Sequence, residues 1–267
     1  MAPVYRLKAS SIKGRTNYGS MLAGNNAFAP FVNTPAVTSG LTHWFDGSDS
    51  STMTVSSGNI SEWNIKSPAS GGANVSQATG ARQPDLESSV QNGRSAVRFK
   101  DANLDNLKST TQPTTGTGAF TVCIAGKSTD TNTDQTMVSW GTSNAVGAGW
   151  SNIFEDDEKI SGGYAGGRDD NYVFSDSAYN NTWFTIVTTG SGTSLKGFFQ
   201  DESKKTKTTP TVNVSSNSEF FLGWLTNPWY ETFGFDGYIG DVLIYNRVLT
   251  DQECTDMRDW LQEKWGI

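Results

Sequence analysis

A chain of 267 residues has the length of one large all-β domain plus an arm, or of two small domains. Nine Trp and 12% aromatic residues supply a large core, which excludes a disordered chain, and the low 18% of charged residues beside abundant Gly, Ser, Thr and Asn suits short strands joined by polar turns. The net charge of −7 argues against nucleic acid as the main partner, and no run approaches the ~18 apolar residues of a membrane span.

In chain order, residues 1–36 read as an extended arm. Arg6, Lys8, Lys13 and Arg15 are its charges and residues 1–45 hold no acid, so this stretch carries +4 and the remainder −11. Tyr5, Leu7, Met21, Leu22 and Phe28 are scattered apolar anchors, and a segment of this kind orders best against a partner. The opening residues lack the 7–15 apolar positions of a signal peptide, so synthesis in a cytoplasm without export is the expectation.

Residues 37–267 read as the folded body. Strands are predicted at Leu41–Asp46, Ile60–Asn64, Ser95–Phe99 and around Phe120–Ile124, from period-two alternation or apolar, β-branched runs. Further strands are predicted at Thr136–Trp140, Trp183–Thr188, Leu195–Gln200, Glu219–Trp224 and Gly237–Tyr245, with Gly, Asn, Asp, Ser or Pro between them. Residues 150–183 read as a long loop-rich stretch. One helix is predicted over 250–265: Thr250 and Glu253 form a capping box, Cys254, Met257, Trp260, Leu261 and Trp265 share a face, and Gly266 stops it. Cys123 and Cys254 read as two buried free thiols, with a disulfide as the alternative.

Two stretches carry a resemblance. Leu41-Thr42-His43-Trp44-Phe45-Asp46-Gly47-Ser48-Asp49, with Ile60-Ser61-Glu62-Trp63 and Asn92-Gly93-Arg94-Ser95-Ala96-Val97-Arg98-Phe99, is similar to the opening of laminin G-like, concanavalin A-like jelly rolls. Gly237-Tyr238-Ile239-Gly240-Asp241-Val242-Leu243-Ile244-Tyr245-Asn246-Arg247, followed by Lys264-Trp265-Gly266-Ile267, resembles their closing strand and helix. The resemblance implies an all-β antiparallel jelly-roll sandwich with one C-terminal helix and an extended N-terminal arm. Within it Asp241 is expected to face solvent or tie a neighbouring loop, and Arg247 to pair with an acid such as Asp251. The arm segment Ser20-Met21-Leu22-Ala23-Gly24-Asn25-Asn26-Ala27-Phe28 is similar to the opening of some tailed-phage virion proteins. This implies a non-enzymatic virion protein assembled in the host cytoplasm. Its expected role is a capsid decoration or stabilising protein, homo-oligomeric on the particle, with capsid or tail proteins as partners. The alternative is a tail- or fibre-associated protein that binds host-surface glycan.

Catalytic patterns are sparse. A glycosidase of this fold needs two facing carboxylates, and the strand around Glu62 offers Asn64 and Lys66 at the further positions. The consecutive acids Glu155–Glu158 read as a turn, and the lone His43 lies in an apolar strand with no nucleophile elbow in the chain. The expectation is a chain that is not an enzyme and needs no cofactor. Calcium is a secondary reading for Asp156, Asp157, Asp169 and Asp170, against solvated loop acids. For a glycan, rings beside polar groups are required, and the candidates are Trp150, Tyr164, Arg168, Asp170 and Tyr172, with Trp229 and Tyr230 in the segment that starts at Trp224. Rings that cap the sandwich or pack on another subunit are the competing reading for Trp229 and Tyr230.

Overall fold

Alternation of large apolar and polar residues builds most of the molecule, because side chains on a strand point to opposite faces. The computed structural model describes residues 31–130, 133–142, 147–164, 172–179, 181–209, 213–216, 219–225 and 233–267. The chain divides into two compact units, 1–31 and 32–267, and every element below belongs to the second. Tyr5, Arg6, Leu7, Lys8, Lys13, Arg15, Met21, Leu22 and Phe28 lie outside the described residues.

In the first half of the body the strands are β1 (Leu41–Asp46), β2 (Met53–Ser56), β3 (Asn59–Trp63), β4 (Val75–Ser76), β5 (Asp85–Gln91), β6 (Arg94–Phe99), β7 (Leu107–Ser109) and β8 (Phe120–Ser128). The second half adds β9 (Gln135–Gly141), β10 (Gly149–Phe154), β11 (Ile160–Tyr164), β12 (Tyr172–Phe174), β13 (Phe184–Ser191), β14 (Ser194–Phe199), β15 (Lys205–Thr208), β16 (Phe220–Leu222) and β17 (Gly237–Tyr245). Helix α1 (Asp251–Trp265) closes the chain, with Thr250 as its N-cap and Gly266 at φ +64° after its last turn.

All ladders are antiparallel. One layer runs β15–β14–β13–β8–β17, with β1 and β6 sharing the far side of β17 and β5 pairing onto β6. The other runs β2–β3–β4–β7–β16–β9–β10–β11–β12. A bridge between Asn59 and Asp85 joins the two at one edge. This is the predicted antiparallel sandwich.

The core lies between the layers. Phe120 of one layer meets Trp140 and Trp150 of the other edge-on, at centroid distances of 5.0 and 4.7 Å. A polar tie crosses the same gap: the Asn152 amide donates to the Thr188 hydroxyl at 3.0 Å, and both residues are fully buried. Strands β8 and β17 are covered on both faces. Val122, Ile124, Val242 and Ile244 point into the core, whereas Cys123 and Leu243 lie on the α1 side, which is why these strands read as unbroken apolar runs.

The stretch read as a long loop contains β11, β12 and all but the first residue of β10. Trp150, Asn152 and Phe154 alternate inward, and so do Ile160, Gly162 and Tyr164. Glycine at 162 is a packing requirement: a Cβ there would sit 2.6 Å from the Asn152 amide and 2.7 Å from the Thr188 methyl. Cys123 and Cys254 are buried free thiols.

Candidate functional site

Among the described residues, the rings expected to face a glycan are turned inward. Trp150 and Tyr164 are each 1% exposed and Tyr172 is 5% exposed, so their faces are spent on packing rather than on a ligand. The register of β10–β12 causes this, because it turns Trp150 and Tyr164 into the interior. Arg168, Asp169, Asp170, Trp229 and Tyr230 lie outside the described residues. Asp156 and Asp157 are exposed in the β10–β11 turn, where Asp157 pairs with Lys159 at 2.5 Å. Among the described residues no group of three or more His, Cys, Asp or Glu side chains is placed to hold a metal ion.

A different face carries a groove. Ser76 of β4 is opposite Lys108 of β7, and Lys108 is opposite Phe221 of β16, so the three side chains share the outer face of their layer. Their neighbours Val75, Leu107, Phe220 and Leu222 point the other way, into the core. The resulting cavity, about 670 Å³, is lined also by Gln77, Ala78, Thr79 and Arg82 and by Glu219 and Trp224. Sites for small ligands span about 300–1,000 Å³.

The floor is a satisfied amide pair. Gln77 and Asn106 are 8% and 6% exposed, and the Gln77 amide donates to Asn106 Oδ1 at 2.9 Å. Gln77 Oε1 accepts the Thr79 N–H, and Asn106 donates to the Leu104 carbonyl. The wall is a 3-10 turn at Gly80–Arg82, pinned where the Arg82 carbonyl accepts the Asn106 N–H at 3.1 Å. Lys108 pairs with Glu219 at 2.8 Å and lies 5.8 Å from the centre of the Phe221 ring. Trp224 is half-buried beside them.

A second polar cluster escaped sequence reading. Asp241 is fully buried rather than facing solvent, and its carboxylate accepts from Trp44 Nε1 at 2.8 Å and Trp265 Nε1 at 2.6 Å. Lys264 of α1, also fully buried, lies 2.9 Å from Asp241 and 2.7 Å from Asp46. Desolvation pushes Asp241 up to about 6, against the pull of Lys264 and with the push of the Asp46 charge. Burial also acts to raise Asp46, but the Lys264 charge and hydrogen bonds from Lys264, Lys66 and Ser48 outweigh it and hold the group at about 2. With no solvent access, this carboxylate pair is an anchor for α1 and not a site that a substrate reaches. Arg247 does not take Asp251 as partner; it grips Glu253 with two N–H groups at 2.7 and 2.9 Å, while Asp251 pairs with Lys196 and Lys204.

The family follows from comparison. The model described as the concanavalin A-like lectin/glucanases superfamily matches residues 101–255, more than half of the chain. The chain belongs to that superfamily. No curated protein sequence matches it. Among solved structures, the CBM40 of the Ruminococcus gnavus IT-sialidase, bound to α2,3-sialyllactose, is 15% identical over 54% of this chain and 83% of that one, with a TM-score of 0.44. A mutant NanB sialidase from Streptococcus pneumoniae is 14% identical over 59% of this chain and 26% of that one, at 0.46. A GH54 α-L-arabinofuranosidase mutant soaked with 4-nitrophenyl α-L-arabinofuranoside is 10% identical over 76% of this chain and 50% of that one, at 0.54. The last supports the lectin-like sandwich as a fold.

Proposed function

We propose that this sandwich is a carbohydrate-binding module without catalytic activity and that the β4–β7–β16 groove holds the glycan. The observation that carries the reading is the lining: the Phe221 and Trp224 rings beside a row of hydroxyls, amides and charges in a cavity of about 670 Å³. A sugar ring has one apolar face and a rim of hydroxyls, and that lining offers a partner to each. Among the described residues, Glu219 is the only carboxylate that lines the groove, whereas hydrolysis by the common mechanisms takes two.

The test is a glycan array probed with the full chain, with and without calcium, followed by the Trp224→Ala variant. Glycan binding that falls about tenfold or more in the variant, as loss of a stacked ring predicts, supports the site. An array with no bound glycan, or a variant that binds equally well, sinks it.

A second reading concerns where the module works. The Ser20–Phe28 motif and the +4 charge of residues 1–45 favour display on a phage particle, with residues 1–36 docked to a capsid or tail and a self-associated chain on its surface. Capsid binding that survives removal of residues 1–36 would contradict this anchoring. The two readings are compatible, since a displayed module can also bind a surface glycan.

A further inference from the structure

Arg82 differs from the other arginines of the described residues. Arg94 donates to the Lys264 carbonyl at 2.8 Å, and Arg98 and Arg258 pair with Asp236 and Asp259. Arg247 is forked onto Glu253. The Arg82 guanidinium lines the groove with no hydrogen bond or ion pair to any described residue. Its backbone is fixed at both ends of the 3-10 turn: the N–H donates to the Thr79 carbonyl at 2.9 Å, and the carbonyl accepts from Asn106. The other cation of the groove, Lys108, is balanced by Glu219. One unbalanced positive fork therefore overhangs a sugar-sized cavity on a chain of net charge −7.

We propose that the groove selects acidic glycans, with Arg82 receiving the carboxylate of a uronic or other carboxylated sugar while the ring lies against Trp224 and Phe221. This deepens, and rests on, the glycan-binding reading of the same groove. A guanidinium presents paired N–H donors that match the two oxygens of a carboxylate, and such charge-assisted pairs are about twice as strong as neutral ones. Lysine offers only a point charge, so the match belongs to arginine.

The experiment measures the affinity of the full chain for carboxylated oligosaccharides, oligogalacturonides among them, each beside its methyl ester. Esterification removes the charge and keeps the ring. The acid form is expected to bind about tenfold more tightly than the ester. Arg82→Gln should bring the affinity for the acid form down to that for the ester, and Arg82→Lys should keep only part of the difference. Arg82 is exposed, so both variants should melt with the parent, which a thermal scan checks. If glycans bind in a Trp224-dependent way but acid and ester bind alike, or if Arg82→Gln keeps the preference, the acidic selectivity is wrong and the glycan site stands. If neither these probes nor the neutral glycans of the array bind, both are wrong.

Discussion

At the scale of single residues, Lys264 is the side chain on which the C-terminal helix depends. Its ammonium is fully buried between Asp46 and Asp241, and Asp241 in turn holds the indoles of Trp44 and Trp265. Removing one member of a buried ion cluster leaves uncompensated charge in a poor solvent, at a cost of about 3–5 kcal/mol. Lys264→Ala is therefore expected to lower the urea midpoint by that much stability with an unchanged m-value. A loss under ~1 kcal/mol in Lys264→Ala would show that the helix is held by its apolar face alone. Lysine is almost never fully buried, so nothing local in the sequence marks Lys264 as a core residue. Asp241 misleads in the same way: an acid in an apolar strand signals exposure unless its partner, far away along the chain, is known. Trp150 and Tyr164 show the opposite failure, since rings among glycines suggest a ligand face where the structure uses the glycines to let large rings pack.

At the scale of elements, α1 was legible because its signals are local. Thr250 accepts the Glu253 N–H, Glu253 reaches back to the Thr250 N–H at 2.8 Å, and the Arg247 fork fixes Glu253 in place. That fork and the Thr250 hydrogen bonds overcome a small desolvation penalty and hold the Glu253 carboxyl at about 2. Thr250→Ala removes one cap bond and is expected to cost about 1 kcal/mol, read as a lower urea midpoint. An unchanged midpoint would mean that the Glu253 side of the box suffices. At the other end of α1 Gly266 marks the stop locally, but the partners of the last carbonyls are not local. There the β5–β6 hairpin supplies the partners, with Gln91, Asn92 and Arg94 donating to the carbonyls of Lys264 and Trp265 at 2.8–3.1 Å. Strands β1 and β17 were found with their full extents because apolar runs and flanking turns mark them. Strands of two or three residues such as β4, β7 and β12 are too short to show a period, and they exist because a neighbour pairs with them, whereas β16 lies within the strand predicted at Glu219–Trp224.

At the scale of the whole molecule, the groove was illegible for the same reason. Ser76, Lys108 and Phe221 become neighbours only through the register of β4, β7 and β16, although the Trp224 segment was marked as a candidate. The global electrostatics are more tractable, and they predict an acidic stability optimum. Asp105 is 1% exposed, its Oδ1 is without a partner, and burial pushes it to about 6, as it does Asp241. Both folded-state values lie above the ordinary 3.8, so the stability they contribute is full below about pH 4 and is lost as the pH rises through 6. His43 acts the other way. Burial lowers it to about 4, consistent with a neutral ring whose Nε2 accepts the Ala73 N–H at 3.2 Å. Its contribution is present above ~6.5 and is lost as the pH falls through 4. Asp46 and Glu253, both held at about 2, contribute above their ordinary values and lose that stability as the pH falls through 2. Between pH 6 and 4 two acids outweigh one imidazole, and the net charge of −7 shrinks toward the isoelectric point near 4.7, which reduces self-repulsion. Thermal unfolding from pH 3 to 9 is expected to peak at about pH 4–5 and to fall by several degrees at pH 8. Asp105→Asn removes one of the alkaline-limb groups, so it should raise the melting temperature at pH 8 more than at pH 5. A peak at neutral pH, with Asp105→Asn showing the same shift at both values, would place the dominant titrating groups elsewhere.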